Sequence, residues 1–416
     1  MMLKVIVVGA GINGVTAAIE LKGRGHKVFL IDPGPLPHPL AASTDISKAV
    51  RAAYGPDEDY TALAERSIPI WRKWNQELGV ELYHETGVLF LRRRPMEPGD
   101  FEYESCKVLE KRGHKFERIN PAQLRERFPV FNAERFQDGF FDPDAGYVES
   151  GHVVVALAER AKSRGVELRE SSKFAALDES DQRVKGVVLQ DRQWSRREPG
   201  DIDGRAGKPS ERERASQRIA GDVVVMAVGA WTPYLLPFTR KFLRATGHPV
   251  FHLKPRDPEL FSPERFPFFG ADISTTGYYG FPLNQGVVKI ANHGPGREMS
   301  PDSSDRAATP AEEKDLREFL SGAIPALADA PIVHTRVCMY CDTHDGHFWI
   351  APDPGRPGLV IATGDCGHGF KFAPVLGELI ADVAEGKSNP LLQKFRWRPE
   401  VQPGHEKEAA RFQGNL

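Results

Sequence analysis

The sequence predicts an α/β chain, α+β when taken whole, in which a parallel sheet covered by helices carries a second domain built on an antiparallel sheet. Three observations predict it. β-Branched runs recur at Val5–Val8, Val28–Ile31 and Asp222–Val228, dense enough for strands buried on both faces. Helical stretches separate them, notably 60–78 and 151–164. Between residues 248 and 293 short apolar segments alternate, which is the pattern of antiparallel strands joined by tight turns.

The elements follow in order. The strand Val5–Val8 runs into Gly9 and a helix, then the strand Val28–Ile31. Residues 33–54 read as a loop that turns helical. The 60–78 helix carries apolar residues at Leu63, Ile68, Ile70, Trp71 and Trp74, and Val88–Leu91 is a strand. Residues 101–135 read as charged helix broken at Pro121 and Pro129, and 140–143 as a turn. Gly165 ends the 151–164 helix; Val166–Leu168 is a strand, and a hairpin follows at 174–176 and 184–189. Residues 191–219, polar and rich in Gly and Pro, read as a solvated loop inserted between hairpin strands. Antiparallel strands are expected at 248–253, 277–281 and 286–292, then a helix at 310–322 opened by Pro310. Strands at 336–340, 348–350 and 359–362 precede a helix at 373–384, and the polar tail 398–416 reads as loose.

These patterns assign residues 1–80, 145–235 and 335–390 to a discontinuous nucleotide domain. Residues 81–144 and 236–334 form the substrate domain threaded through it.

Composition narrows the function classes. In 416 residues the net charge is −2, so no field steers the chain to nucleic acid or an anionic membrane. No apolar run reaches membrane-spanning length, and the apolar N-terminus is interrupted by Gly9, Gly11, Asn13 and Gly14. Four cysteines in so long a chain do not make a disulfide framework. The expectation is a cytoplasmic enzyme, a monomer with a dimer as the alternative. No metal site is expected: Cys338 and Cys341 form C-x-x-C without a second ligand pair.

The run from Lys4 to Asp32 holds the sharpest motif. Gly9, Gly11 and Gly14 form G-x-G-x-x-G between a strand and a helix, and Asp32 ends the next strand. Gly9 permits the turn, Gly11 lets backbone approach a pyrophosphate, and Gly14 lets the helix pack on the strand. Asp32 stands where a ribose hydroxyl would need an acceptor. Nicotinamide and flavin dinucleotides share this motif. The choice rests on residues 358–372, GLVIATGDCGHGFKF, a second glycine turn at a helix start, holding Gly364, Gly367 and Gly369. A cofactor cradled from both ends of the chain is typical of FAD enzymes, and Gly229 closes the third strand beside it.

With these motifs the sequence resembles the monomeric sarcosine oxidase family, FAD-dependent amine oxidases of the D-amino-acid-oxidase superfamily. The resemblance rests on GAGINGVTAAIEL, RAAYG at 51–55, GYYGFP at 277–282, VVKIANH at 287–293, VCMY at 337–340 and GHGFKFAP at 367–374. It covers nearly the whole chain and implies the fold, FAD and small-molecule amine chemistry. Cys338 matches the cysteine joined through sulfur to the flavin; read alone it is a buried core cysteine. Lys289 matches the lysine that promotes reaction with O2, where a fixed cation stabilises forming superoxide; the alternative is a lysine reaching solvent. Lys289 and His293, four apart on a strand, are expected to face one side. Arg51 and Lys371 match the pair that holds a substrate carboxylate. Tyr279 and Tyr340 match aromatic cavity residues, and Phe370 adjoins Lys371 in the flavin-facing loop.

One departure bears on the substrate. Before RAAYG the chain carries Thr44, Ser47 and Lys48 in place of the histidine and arginine of sarcosine-type members. That pattern is similar to the deglycating branch, the fructosyl-amino-acid oxidases. The expectation is therefore an oxidase of a secondary amine bearing a carboxylate, of the sarcosine, N-methyl amino acid or fructosyl amino acid type. The amine gives a hydride equivalent to the flavin, water splits the imine, and O2 becomes H2O2. The alternatives are a dehydrogenase feeding a quinone or protein acceptor, and a non-catalytic FAD-holding subunit.

Overall fold

The computed structural model describes residues 1–191, 216–403 and 408–412. A six-stranded sheet forms one layer, with the strand Lys4–Val8 at its centre between Val223–Met226 and Lys27–Ile31. Five of its strands run parallel, including Leu359–Thr363 and Glu167–Arg169; only Trp349–Pro352 is antiparallel. Both faces of these strands are buried, which is why they read as unbroken apolar runs.

The helices Ile12–Gly23 and Ala373–Ala384 pack together against this sheet. Their contact is close: a side chain at Gly377 would come within 2.8 Å of the Thr16 backbone. The helix Glu58–Leu78 is capped by Asp57, whose side chain accepts the Tyr60 N–H, and is ended by left-handed Gly79.

The second layer is a nine-stranded, mostly antiparallel sheet. Its heart is the pairing of Leu243–Leu253 with Ile332–Thr343 on one side and Val287–Asn292 on the other. Tyr278–Asn284, Phe268–Ala271 and Val88–Arg92 continue it. A phenylalanine-rich core, with Phe131, Phe266 and Phe269 stacked edge and face, fills the space beneath the helix Pro310–Ala323.

Several expectations are corrected. The 336–340 strand joins the antiparallel sheet rather than the nucleotide layer, because it pairs along its length with Leu243–Leu253. Residues 33–54 form no helix; Lys48–Val50 is a short strand paired with Gly146–Val148. Prolines 33, 35, 37 and 39 remove helical donors just upstream. Residues 140–143 are not a turn, since Asp138–Asp142 is a strand paired with Val88–Arg92. The charged 101–135 stretch resolves into two helices, Phe101–Lys111 and Pro121–Arg127, with no helix between Pro129 and its end. Pro121 opens the second helix, behind an Asn120 capping box.

The inserted loop is shorter than expected at its end, because Ser216–Ala220 is a strand; residues 192–215 lie outside the described residues. The tail is not loose throughout. Arg398 is buried against Asp345, and the segment 408–412 packs onto the antiparallel sheet. Among the described residues no helix is long and apolar enough to cross a membrane.

Candidate functional site

Two adjoining cavities sit between the layers. The first is a cleft open at its mouth, lined by Gly9, Gly11, Asp32, Ser43, Thr44, Gly229 and Asp365 among others. It lies over the carboxyl ends of the central parallel strands, where open α/β sheets bind ligands. Gly9 takes φ +96°, and a side chain there would sit 2.4 Å from the Ala227 carbonyl oxygen. Gly14 does not line the cleft; a side chain on it would meet the Gly9 carbonyl oxygen at 1.8 Å, so it serves the helix–strand contact. Asp32 accepts the backbone N–H groups of Ala10 and Gly34, both at 2.8 Å, which fixes its carboxylate at the strand end. Burial pushes its pKa up, against those two hydrogen bonds.

The residues fit an FAD. The helix Ile12–Gly23 has no side-chain cap from Gly11; its Ile12 N–H donates to Ser43 Oγ at 3.1 Å, and Ile12 and Asn13 of its first turn line the cleft where a pyrophosphate would lie. Asn13 gives its amide nitrogen to Asp365 at 2.9 Å, while its buried Oδ1 has no partner among the described residues.

The second cavity is lined by Lys48, Arg51, Tyr279, His293, Tyr340, Gly367, His368, Phe370 and Lys371. The late glycine loop spans both cavities: Asp365 faces the first, Gly367, Phe370 and Lys371 the second. Gly364 and Gly369 line neither. Side chains there would strike Thr343 and Asp365, so they shape the loop. The sequence pointed to this loop for the cofactor and to Lys371 for the substrate carboxylate as well; Gly367, Phe370 and Lys371 border the smaller chamber.

Arg51 and Lys371 are both buried in this chamber. Lys371 Nζ donates to Tyr54 Oη at 2.8 Å and to the His368 carbonyl at 2.7 Å. Burial, aided by Arg51, drives its pKa well below the usual lysine value. Arg51 stacks its guanidinium 4.3 Å from the Tyr54 ring centroid and donates to Glu408 Oε1 at 2.8 Å.

Lys289 does not line the chamber; it is buried behind it at 1% exposure. Its Nζ lies 2.6 Å from Asp45 Oδ2 and donates to the Ser47 carbonyl at 2.5 Å. Burial lowers its pKa to about 8 although Asp45 holds it up. Burial also pushes Asp45 up, but Lys289 and His252 outweigh that and hold it well below the carboxylate range. Lys289 lies beside the Phe281 ring and His293 beside that of Tyr279, two residues apart on one strand face. Their polar ends then diverge, Lys289 to Asp45 and His293 to Glu408.

Cys338 is buried among Val250, Ala291 and Tyr340. Its Sγ lies 3.4 Å from Lys48 Nζ, whose side chain lines the second chamber. Neighbouring Arg336 reaches the carbonyls of Ala41 and Thr44 at the rim of the first cleft.

Sequence reasoning missed three residues. Asp45 had no signal beyond a polar run, and His368 was hidden in the glycine loop. Glu408 sits in EKEAARF, a stretch whose composition reads as solvated; only the fold carries it back to Arg51 and His293.

Comparison with known proteins agrees with this geometry. Residues 4–383 match the family model described as DAO, FAD dependent oxidoreductase. Monomeric sarcosine oxidase of Bacillus sp. (strain B-0618) is 28% identical over 385 residues, 91% of each chain. N-methyl-L-tryptophan oxidase of Salmonella dublin is 25% identical over 402 residues, 95% of this chain and 98% of that protein. In fold, the chain is similar to the deglycating fructosamine oxidase Amadoriase II of Aspergillus fumigatus, with TM-score 0.80 and 24% identity. That match covers 99% of this chain and 94% of the other. A glycine cleft shaped for an extended dinucleotide, a basic chamber beside it and a family match across most of the chain lead to one conclusion: the chain belongs to the DAO family of FAD dependent oxidoreductases.

Proposed function

We propose that this enzyme oxidises a secondary amine bearing a carboxylate, of the N-methyl or fructosyl amino acid type. The observation that carries the reading is the pair of buried cations, Arg51 and Lys371, in one small chamber beside the dinucleotide cleft. Glu408 answers the charge of Arg51, while among the described residues Lys371 donates only to Tyr54 Oη and the His368 carbonyl, so a second anion in the chamber would answer the second cation. Arg51 already donates to the Ala53 carbonyl and to Glu408, so a substrate carboxylate would draw on its remaining hydrogens and on Lys371 as a point charge. Curated relatives named for sarcosine and N-methyl-L-tryptophan support the substrate class.

FAD, when bound, accepts the hydride equivalent from the carbon beside the amine nitrogen. The chain's own residues do the rest. Arg51 and Lys371 hold the acid headgroup. Tyr279, Tyr340 and Phe370 enclose the amine and keep bulk water out. Lys289, protonated below about pH 8, supplies the cation for oxygen reduction to H2O2, and Cys338 is the attachment point of the flavin.

The test is air-saturated assay of the yellow protein against N-methyl amino acids, opines and fructosyl-glycine, following H2O2. Peroxide formed at the rate of substrate loss supports the oxidase. Rapid anaerobic bleaching followed by slow recovery in air assigns it to the dehydrogenases. No bleaching by any amine refutes the reading.

A further inference from the structure

The clamp for the acid headgroup carries an anion of its own. Glu408 Oε1 accepts from Arg51 Nη2 at 2.8 Å, and Glu408 Oε2 lies 3.0 Å from His293 Nε2. Glu408 is 1% exposed and stands behind the chamber wall rather than in it. Burial pushes its pKa up, but His293 and Arg51 outweigh that and hold it well below the usual carboxylate range. It is thus a fixed negative charge at neutral pH.

The cations of the chamber divide between two ends. Lys48 belongs to the Cys338 end: its Nζ lies 3.4 Å from Cys338 Sγ and 3.9 Å from Asp45 Oδ2. Arg51 and Lys371 form the other end. Glu408 answers Arg51, whereas Lys371 donates to the neutral Tyr54 Oη and the His368 carbonyl. Asp365 acts on Lys371 from the cleft side, where Asn13 binds it. Among the described residues no carboxylate lines the chamber itself. The clamp therefore holds one cation in contact with an anion and one without. A single incoming carboxylate meets Lys371. A second would face Glu408 and the first carboxylate with no unanswered cation left at that end.

Resting on the reading above, we propose that Glu408 is a charge-selecting residue: it leaves the clamp room for one carboxylate and turns away amines that carry a second. The substrate class narrows to secondary amines with one acid group and neutral or hydroxyl-bearing substituents. N-methyl amino acids with uncharged side chains and fructosyl-glycine fit; amines with an acid on each side of the nitrogen do not. The device is delivered by the C-terminal segment, outside residues 4–383 that match the family model. Segment 408–412 forms neither helix nor strand, so side chains hold it in place. Arg411 grips Asp342 with two bonds at 2.7 and 2.8 Å and donates to the Gly294 carbonyl at 3.1 Å. The Phe412 N–H donates to the His293 carbonyl at 3.1 Å, and Ala410 is fully buried.

The experiment compares N-methyl-L-aspartate with N-methyl-L-asparagine, which match in size and differ by one charge, on full-length wild-type, Glu408→Gln and Glu408→Asp holoenzymes at pH 7. Half-saturation is read from anaerobic bleaching of the flavin or, for a compound that does not bleach it, from competition with a carboxylated amine that does. Wild type should take the asparagine derivative at least about tenfold more tightly. Glu408→Gln should close most of that gap, chiefly through tighter binding of the aspartate derivative. Glu408→Asp keeps the charge and should keep the gap. A wild type without the gap, or a Gln variant that retains it because both compounds change alike, overturns the proposal. If Glu408→Gln fails to retain FAD, Asp342→Asn takes its place, loosening the anchor of the segment outside the clamp: a narrowed gap supports the proposal and an unchanged one overturns it. A wild-type enzyme that no carboxylated amine bleaches fails the parent reading, whereas failure here appears only in the comparison of the two compounds.

Discussion

Lys289 and Asp45 form an ion pair, Nζ to Oδ2 at 2.6 Å, with both side chains 1% exposed. A pair so buried persists because each charge answers the other; removing one partner strands the second. The pair also sets when Lys289 is a cation. Lys289→Met should leave anaerobic flavin reduction within a few-fold of wild type and slow reoxidation by O2 about a hundredfold or more. Stopped-flow mixing of reduced enzyme with oxygenated buffer reads it directly.

Asp45→Asn tests the same pair through pH. Lys289 loses its proton near pH 8, so reoxidation should fall as pH rises through that value. Asp45 raises the lysine pKa; removing its charge lets desolvation pull it lower. The falling limb should therefore move to lower pH in the variant. An unmoved limb would show that another group governs it.

Cys338 yields a simpler outcome. Acid precipitation of wild type should leave the yellow colour in the pellet, and Cys338→Ala should release FAD to the supernatant. Colour in the wild-type supernatant would rule out the thioether.

The C-terminal clasp carries a stability prediction. Asp342 is buried and bonded to Arg411. Burial pushes its pKa up, but Arg411 more than offsets that and holds it below the usual value. Its stabilisation is thus present above the ordinary aspartate pKa and lost as pH falls through the depressed one. Asp342→Asn should cost about 3 kcal/mol by taking the buried carboxylate from Arg411. Denaturant melts at pH 7 measure it, and the difference from wild type should shrink in acid.

What the sequence revealed depended on how local the signal was. The nucleotide layer was legible because Val5–Val8, Gly9, Gly11, Gly14 and Asp32 specify strand, turn and helix within one short run. Arg51, Lys371, Tyr279, Tyr340 and His293 were legible as chamber residues through their flanking motifs. Asp138–Asp142 was misread because Phe140-Phe141-Asp142-Pro143 has turn chemistry at its end, and only pairing with Val88–Arg92 makes it a strand. Glu408 was illegible for a deeper reason. A carboxylate in a charged tail has no local pattern, and its burial comes from partners 357 and 115 residues away in the chain.

The carboxylate clamp is the centre of the functional account, and anaerobic titration measures it most directly. The purified yellow protein is mixed with an N-methyl amino acid it oxidises and, separately, with the matching carboxamide, while the flavin band is followed. Arg51 and Lys371 predict at least about tenfold tighter half-saturation for the acid. Equal half-saturation by the amide, or no bleaching by either compound, would contradict it.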